Sequence, residues 1–127
     1  MLNRHDCRLK LIFALYKSLL LEENYKQVFI NENEENIEYL NDEYINIILN
    51  DVTININKYI EKIKPLLVNW TFDRLEFLEQ AILIESCSEI YTNINTKNIV
   101  IDEAVIISKD YLDDNKYKFI NGVLDKI

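Results

Sequence analysis

Turn-forming residues are almost missing from this 127-residue chain, which has one glycine, Gly122, and one proline, Pro65. Sandwiches, barrels and dinucleotide-binding sheets need many such residues, so the scarcity argues for long helices joined by short polar connections. A single glycine also rules out phosphate-cradling and dinucleotide loops. Histidine is equally scarce. His5 cannot supply a metal cluster alone, and no carboxylate pair stands at helical spacing from it. His5 and Cys7 lie two residues apart, which on a helix turns them away from each other and excludes a nucleophile–base pair. The two cysteines, Cys7 and Cys87, form no CxxC motif and read as free thiols of a reducing cytoplasm. No stretch approaches the ~20 apolar residues of a membrane span. The run from Leu9 to Leu21 is interrupted by Lys10, Lys17 and Ser18 and lacks a signal-peptide cleavage site, so it reads as a core helix. With no catalytic constellation and no cofactor motif, the chain reads as a binding protein rather than an enzyme.

What is present is a good supply of core. Hydrophobic residues make up 49% of the chain, far above a disordered tail and enough for one domain across residues 1–127. The formal charge of −8 is unevenly spread. Arg4, Arg8, Lys10 and Lys17 against Asp6 alone give residues 1–20 a charge of +3, so the remainder carries −11. An acidic protein repels nucleic acid unless its cations are gathered in one place. Apolar spacing predicts a first helix over residues 4–21, with Asn3 as its cap and Leu9, Ile12, Tyr16 and Leu19 on one stripe. The acidic, Asn-rich residues 22–40 hold one short helix near Tyr25–Ile30. Asp42 caps a long helix that Pro65 ends or kinks near Ile63. Thr71 or Asp73 starts another helix reaching Tyr91, its stripe formed by Leu75, Leu78, Ala81 and Ile82, with Glu85 and Glu89 outside the core. Two further helices cover about Ile99–Tyr111 and Lys116–Lys126. Gly122, inside a helical pattern, predicts the close approach of another helix, with Asn121 bonding nearby backbone. Trp70 and Phe72 are expected to anchor the junction between the halves.

Three segments, taken in order along the chain, resemble the NusB family of bacterial transcription antitermination factors. The first is Arg4-His5-Asp6-Cys7-Arg8 followed by Ala14-Leu15-Tyr16. The second is Trp70-Thr71-Phe72-Asp73-Arg74-Leu75, then Glu79-Gln80-Ala81-Ile82-Leu83 and Glu89. The third and most specific is Ile101-Asp102-Glu103-Ala104-Val105-Ile106-Ile107-Ser108-Lys109, followed by Lys118-Phe119-Ile120-Asn121-Gly122-Val123-Leu124-Asp125. The chain departs from the family pattern at His5, Phe13, Ile84, Ser88 and Asn115, where Arg, Gln, Arg, Tyr and Asp are common. The resemblance implies an all-α fold of two small helical bundles packed together. One holds the first helix and the long helix to Pro65, and the other holds everything from Trp70 onward.

The resemblance also implies a non-catalytic adaptor that binds boxA-like single-stranded RNA jointly with the ribosomal protein NusE in the RNA polymerase antitermination complex on ribosomal RNA operons. Two alternatives stand beside it. One is a protein-interaction domain with little RNA affinity; the other is a relative of the N-terminal domain of ribosomal RNA methyltransferases. Arg4, His5 and Arg8 fall within ~100° on one helix, where adjacent guanidiniums could grip successive phosphates. Spacing alone favours a solvated helix start; the resemblance reverses this and assigns the start to boxA RNA. Lys10, Lys116 and Lys118 would extend the basic strip. Tyr16 and Phe119 would stack on bases, core packing being the ordinary role of such residues. Asp73, Glu79 and Glu89 lie in the region that, by the resemblance, faces NusE.

Overall fold

A computed structural model describes residues 2–127, and among them there is no strand. The helices are α1 (Arg4–Leu21), α2 (Tyr25–Glu32), α3 (Ile37–Leu40), α4 (Glu43–Ile63), α5 (Phe77–Tyr91), α6 (Lys97–Tyr111) and α7 (Lys116–Asp125), with single 3-10 turns at Lys64–Leu66 and Phe72–Arg74. The starts follow capping chemistry. Asn3 Oδ1 accepts from the backbone of His5 at 2.8 Å, and Asp42 Oδ1 accepts from Ile45 at 2.9 Å, each satisfying a donor the helix leaves unpaired. Pro65 lacks the N–H that would continue α4, so the chain leaves it through the 3-10 turn. Left-handed backbone, usually glycine's role, falls to Glu22, Asn69, Asn93 and Asn115. Asn tolerates this conformation better than most residues, which explains how the chain turns with almost no glycine.

α1, α2 and α4 pack as one group and α5, α6 and α7 as the other, but α5 belongs to both. It contacts α1, α4, α6 and α7, so a single hydrophobic core runs through the two groups. Every residue from Glu79 to Glu89 is buried. This corrects two expectations. Phe72–Arg74 is a separate turn, held off α5 because Gln80 Nε2 donates to the carbonyls of Phe72 and Leu75 at 3.2 and 3.1 Å. α5 therefore begins at Phe77, where Glu79 accepts from the Glu76 backbone at 3.1 Å. Glu85 and Glu89, expected outside the core, are wholly buried within it.

Buried carboxyls must be paired or neutral. Glu89 accepts from Arg8 Nε at 2.7 Å and Nη2 at 2.8 Å, in the forked geometry that suits guanidinium to carboxylate, and from Asn95 Nδ2 at 2.8 Å. Burial opposes its charge, but these bonds and that of Glu85 hold its carboxyl below the usual range. Arg8, 2% exposed, is held charged against burial by the same bonds. Glu85 has no cation of its own. Burial, then the neighbouring Glu89 charge, push its carboxyl well above the usual range, so it keeps its proton. The proton resolves an apparent defect: Glu85 Oε1 has no donor, and protonation makes the carboxyl a donor towards Glu89 while Tyr44 Oη donates to Oε2 at 3.3 Å. A further tie joins α4 to α5. Asp51 Oδ2 accepts from Ser88 Oγ at 2.7 Å and Tyr59 Oη at 2.6 Å.

Gly122 also departs from expectation. A Cβ built there meets nothing within 4 Å, so no helix approaches it and the overpacking expected of a large substitution does not arise. Phe72 enters the core, whereas Trp70 is 56% exposed.

Two outcomes follow. Gly122→Ala should raise the urea midpoint by up to about 1 kcal/mol of stability, since the methyl is unobstructed and alanine favours helix; a lower midpoint would mean an unseen constraint. Glu85→Gln keeps a donor towards Glu89 and removes a proton that only the folded state retains. A carboxyl raised in the fold gives stability that is present at acid pH and is lost as pH rises towards its folded value. The advantage of Glu85→Gln over the parent should therefore grow between about pH 5 and about pH 8, by at most about 1.4 kcal/mol per pH unit. Urea unfolding at the two pH values checks this, and a difference independent of pH would mean that Glu85 is ionised.

Candidate nucleic-acid interface

The expected site residues separate into three places, because α1 and α5 run side by side in opposite directions. Arg8 near the start of α1 meets Glu89 near the end of α5, while Tyr16 lies with Glu76, Phe77 and Leu78 at the beginning of α5.

At the first place, Arg4 is exposed and its guanidinium carbon sits 4.0 Å from the centroid of the Tyr44 ring. His5 Nδ1 lies 3.4 Å from Glu103 Oε2. Lys10 is exposed, with its ammonium 5.5 Å from the Tyr39 centroid. Arg4 and Lys10 thus rest on aromatic faces while their charges stay open to solvent. Arg8 does not join them. Its guanidinium is turned inward to Glu89, with Nη1 3.4 Å from Glu103, and offers a phosphate nothing. Helical spacing put Arg4 and Arg8 on one side of α1, but it could not tell which lay at the edge of the buried stripe.

The second place is a pocket of ≈ 250 Å³ between the 70–75 segment and the start of α7, with Trp70, Arg74, Lys116 and Phe119 in its lining. Phe119 is half-buried; it packs on the core and also faces this pocket. Lys116 is largely neutralised, its Nζ lying 2.8 Å from Glu79 Oε1 and 3.4 Å from Glu76 Oε2. Lys118, two residues further along α7, is exposed. Trp70 and Arg74 were not among the expected site residues. Trp70 is expected to anchor the junction between the halves, but it stands in the connection between helices, beside the left-handed Asn69, with its ring exposed.

The third place surrounds Tyr16. Twelve positions separate it from Arg4, about 18 Å along α1, so the two do not form one cluster. Tyr16 instead joins Leu20, Phe77 and Tyr111, each between 36% and 48% exposed. Tyr16, Phe77 and Tyr111 share a ≈ 400 Å³ depression with Leu112, and Glu76 stands on its rim.

Of the three acidic residues expected to face a partner, only Asp73 is exposed. Glu79, 4% exposed, is occupied by the Glu76 backbone and Lys116; Glu89, fully buried, is occupied by Arg8. Neither is free for a partner. Among the described residues no three His, Cys, Asp or Glu side chains are grouped to hold a metal ion, and no helix is long and apolar enough to cross a membrane.

The NusB family profile matches residues 5–127. A Campylobacter lari protein named transcription antitermination protein NusB is 35% identical over 129 residues, covering 100% of this chain and 96% of the relative. A protein of the same name from Clostridium botulinum is 34% identical over 130 residues, covering 99% and 98%. Among solved structures, T. maritima NusB superposes with a TM-score of 0.84 at 24% identity, covering 98% of this chain and 89% of that one. A chain in a crystal structure of a plectonemic RNA supercoil superposes equally well, at 26% identity and 99% and 94% coverage. Matched by the profile and by relatives along its full length, the chain belongs to the NusB family.

Proposed function

We propose that this chain is a transcription antitermination factor that binds boxA-like single-stranded RNA together with NusE and carries both to the RNA polymerase antitermination complex. The observation that carries the RNA reading is the pocket where exposed Trp70 and half-buried Phe119 stand beside Arg74, in a chain whose net charge is −8. An open aromatic pair with the Arg74 guanidinium beside it suits an unpaired base and its phosphate, and single strands are suited because their bases are free to stack. Arg4 and Lys10 on their tyrosine platforms form the second contact, near the other end of α5. From Glu79 to Glu89 is about 15 Å along the helix axis, a gap that a few extended nucleotides can span. Membership of the NusB family and the related chain in an RNA-containing crystal structure support the same reading.

NusE fits the third place. Tyr16, Leu20, Phe77 and Tyr111 form an apolar face, and Glu76 beside it suits a basic ribosomal protein. On this reading Tyr16 serves the protein partner rather than a base, and Asp73 lies beside the RNA pocket.

Fluorescence anisotropy with boxA RNA, with and without NusE, tests both surfaces. Arg4→Glu with Trp70→Ala should leave folding intact and weaken RNA binding at least tenfold. Arg4→Ala alone should lower the slope of log affinity against log salt by up to about 0.7. Phe77→Glu should abolish the gain in RNA affinity that NusE brings while leaving binding by the chain alone unchanged. An Arg4→Glu, Trp70→Ala protein that binds RNA as well as the parent would remove the RNA surface and leave a protein-only adaptor.

A further inference from the structure

Gly122 weakens α7 by roughly 1 kcal/mol relative to alanine, yet nothing inside the chain requires it. Its position on the helix gives it a use outside the chain. At about 100° per residue, Lys118, Gly122 and Asp125 share the outward stripe of α7. Tyr117 and Asn121 lie on one flank, and Lys116 and Phe119 on the other. The Phe119 flank opens on the Trp70 pocket. The Tyr117 flank opens on a separate groove of ≈ 550 Å³ between α6 and α7, lined by Asp102, Val105, Ile106, Tyr117, Lys118 and Asn121. α7 is therefore the wall between two cavities, and the chain's single glycine is where that wall has no side chain.

The groove has the parts of a base site. Ile106, 46% exposed, and Val105 supply an apolar surface, and Tyr117 supplies a ring. The ammonium of Lys109 lies 4.7 Å from the Tyr117 centroid, and Lys118 stands exposed at the lip. One cation over that ring and another lining the groove, on a chain of net charge −8, suit an anionic ligand bearing a flat apolar group. Asn121 and Asp102 add a polar edge, and a carboxylate there accepts from an exocyclic amino group.

We propose that the α6–α7 groove is a second base-binding site, occupied by a nucleotide of a single RNA strand that leaves the Trp70–Phe119 pocket and crosses α7 over Gly122. The crossing brings the sugar–phosphate backbone against the bare helix, with Lys118 one turn away to meet a phosphate. Asp102 favours cytosine or adenine in the groove over uracil, which has no amino group. This inference rests on the RNA-binding reading above.

The test uses the full chain with saturating NusE and two labelled single-stranded RNAs, a short one that fills the first pocket and one extended by about four nucleotides including a cytosine. The parent should bind the longer RNA about tenfold more tightly, the scale of one stacked base. Gly122→Gln should fold normally by circular dichroism, keep the short RNA's affinity and lose the gain from length. Tyr117→Ala should lose the same gain, and Asp102→Asn should shift the preference away from cytosine. A Gly122→Gln protein that retains the full gain overturns the crossing, as does a parent that shows no gain. A variant that loses NusE but not RNA also overturns it, placing protein on this face. If the parent binds neither RNA, the RNA-binding reading itself has failed, and this inference fails with it.

Discussion

The Arg8–Glu89 pair is the constraint around which the rest of the molecule is arranged. α5 is buried along eleven successive residues, Glu79 to Glu89, and a helix in that position would ordinarily be apolar all round. This one carries three glutamates, and each is dealt with differently. Glu79 joins the helix start and meets Lys116 of α7. Glu85 keeps its proton. Glu89 remains ionised because α1 delivers a guanidinium to it. A buried ion pair adds little net stability over a well-packed apolar one, but losing one partner is costly, so the pair specifies how α1 and α5 align. That alignment puts the start of α1, with Arg4 and Lys10, beside the end of α5, and puts Tyr16 beside Phe77. The Arg4–Lys10 contact proposed for RNA and the Tyr16 face proposed for a protein partner are thereby held at opposite ends of α5.

The same constraint explains what could be read in the sequence. The long helices were legible because they are set locally, by apolar stripes, by Asn3 and Asp42 as caps, and by Pro65 as a stop; the four-residue α3, too short for an apolar stripe and with no buried residue, was not. The start of α5 was less so. Thr71 and Asp73 are good cap residues, but a tertiary bond from Gln80 keeps their turn apart from the helix. The burial of Arg8, Glu85 and Glu89 could not be seen locally at all. Side chains that look solvated on one helix become interior when another helix supplies the opposite charge, and this pairing spans 81 positions.

Gly122 shows the opposite failure. A glycine in a helix was read as evidence of close packing, a sound rule for interiors, but the residue lies on the outward stripe with open space above it. The resemblance rests on the segment Lys118–Asp125 without saying whether it serves packing or binding. Phe119 shows that the two roles are compatible, since one face of its ring packs on the core while the side chain still lines a pocket.

Arg8 and Glu89 act as one buried unit, and Arg8 therefore serves the fold. A double-mutant cycle by urea unfolding at neutral pH tests it most directly, using Arg8→Met, Glu89→Met and the two together. Each single change should be strongly destabilising, Arg8→Met the more so, since without Glu89 the neighbouring Glu85 can release its proton and replace the lost charge. The double variant should be markedly more stable than the sum of the two losses allows, with a coupling of about 2 kcal/mol or more. Two small losses that add to within about 0.5 kcal/mol would contradict the account and return Arg8 to the surface.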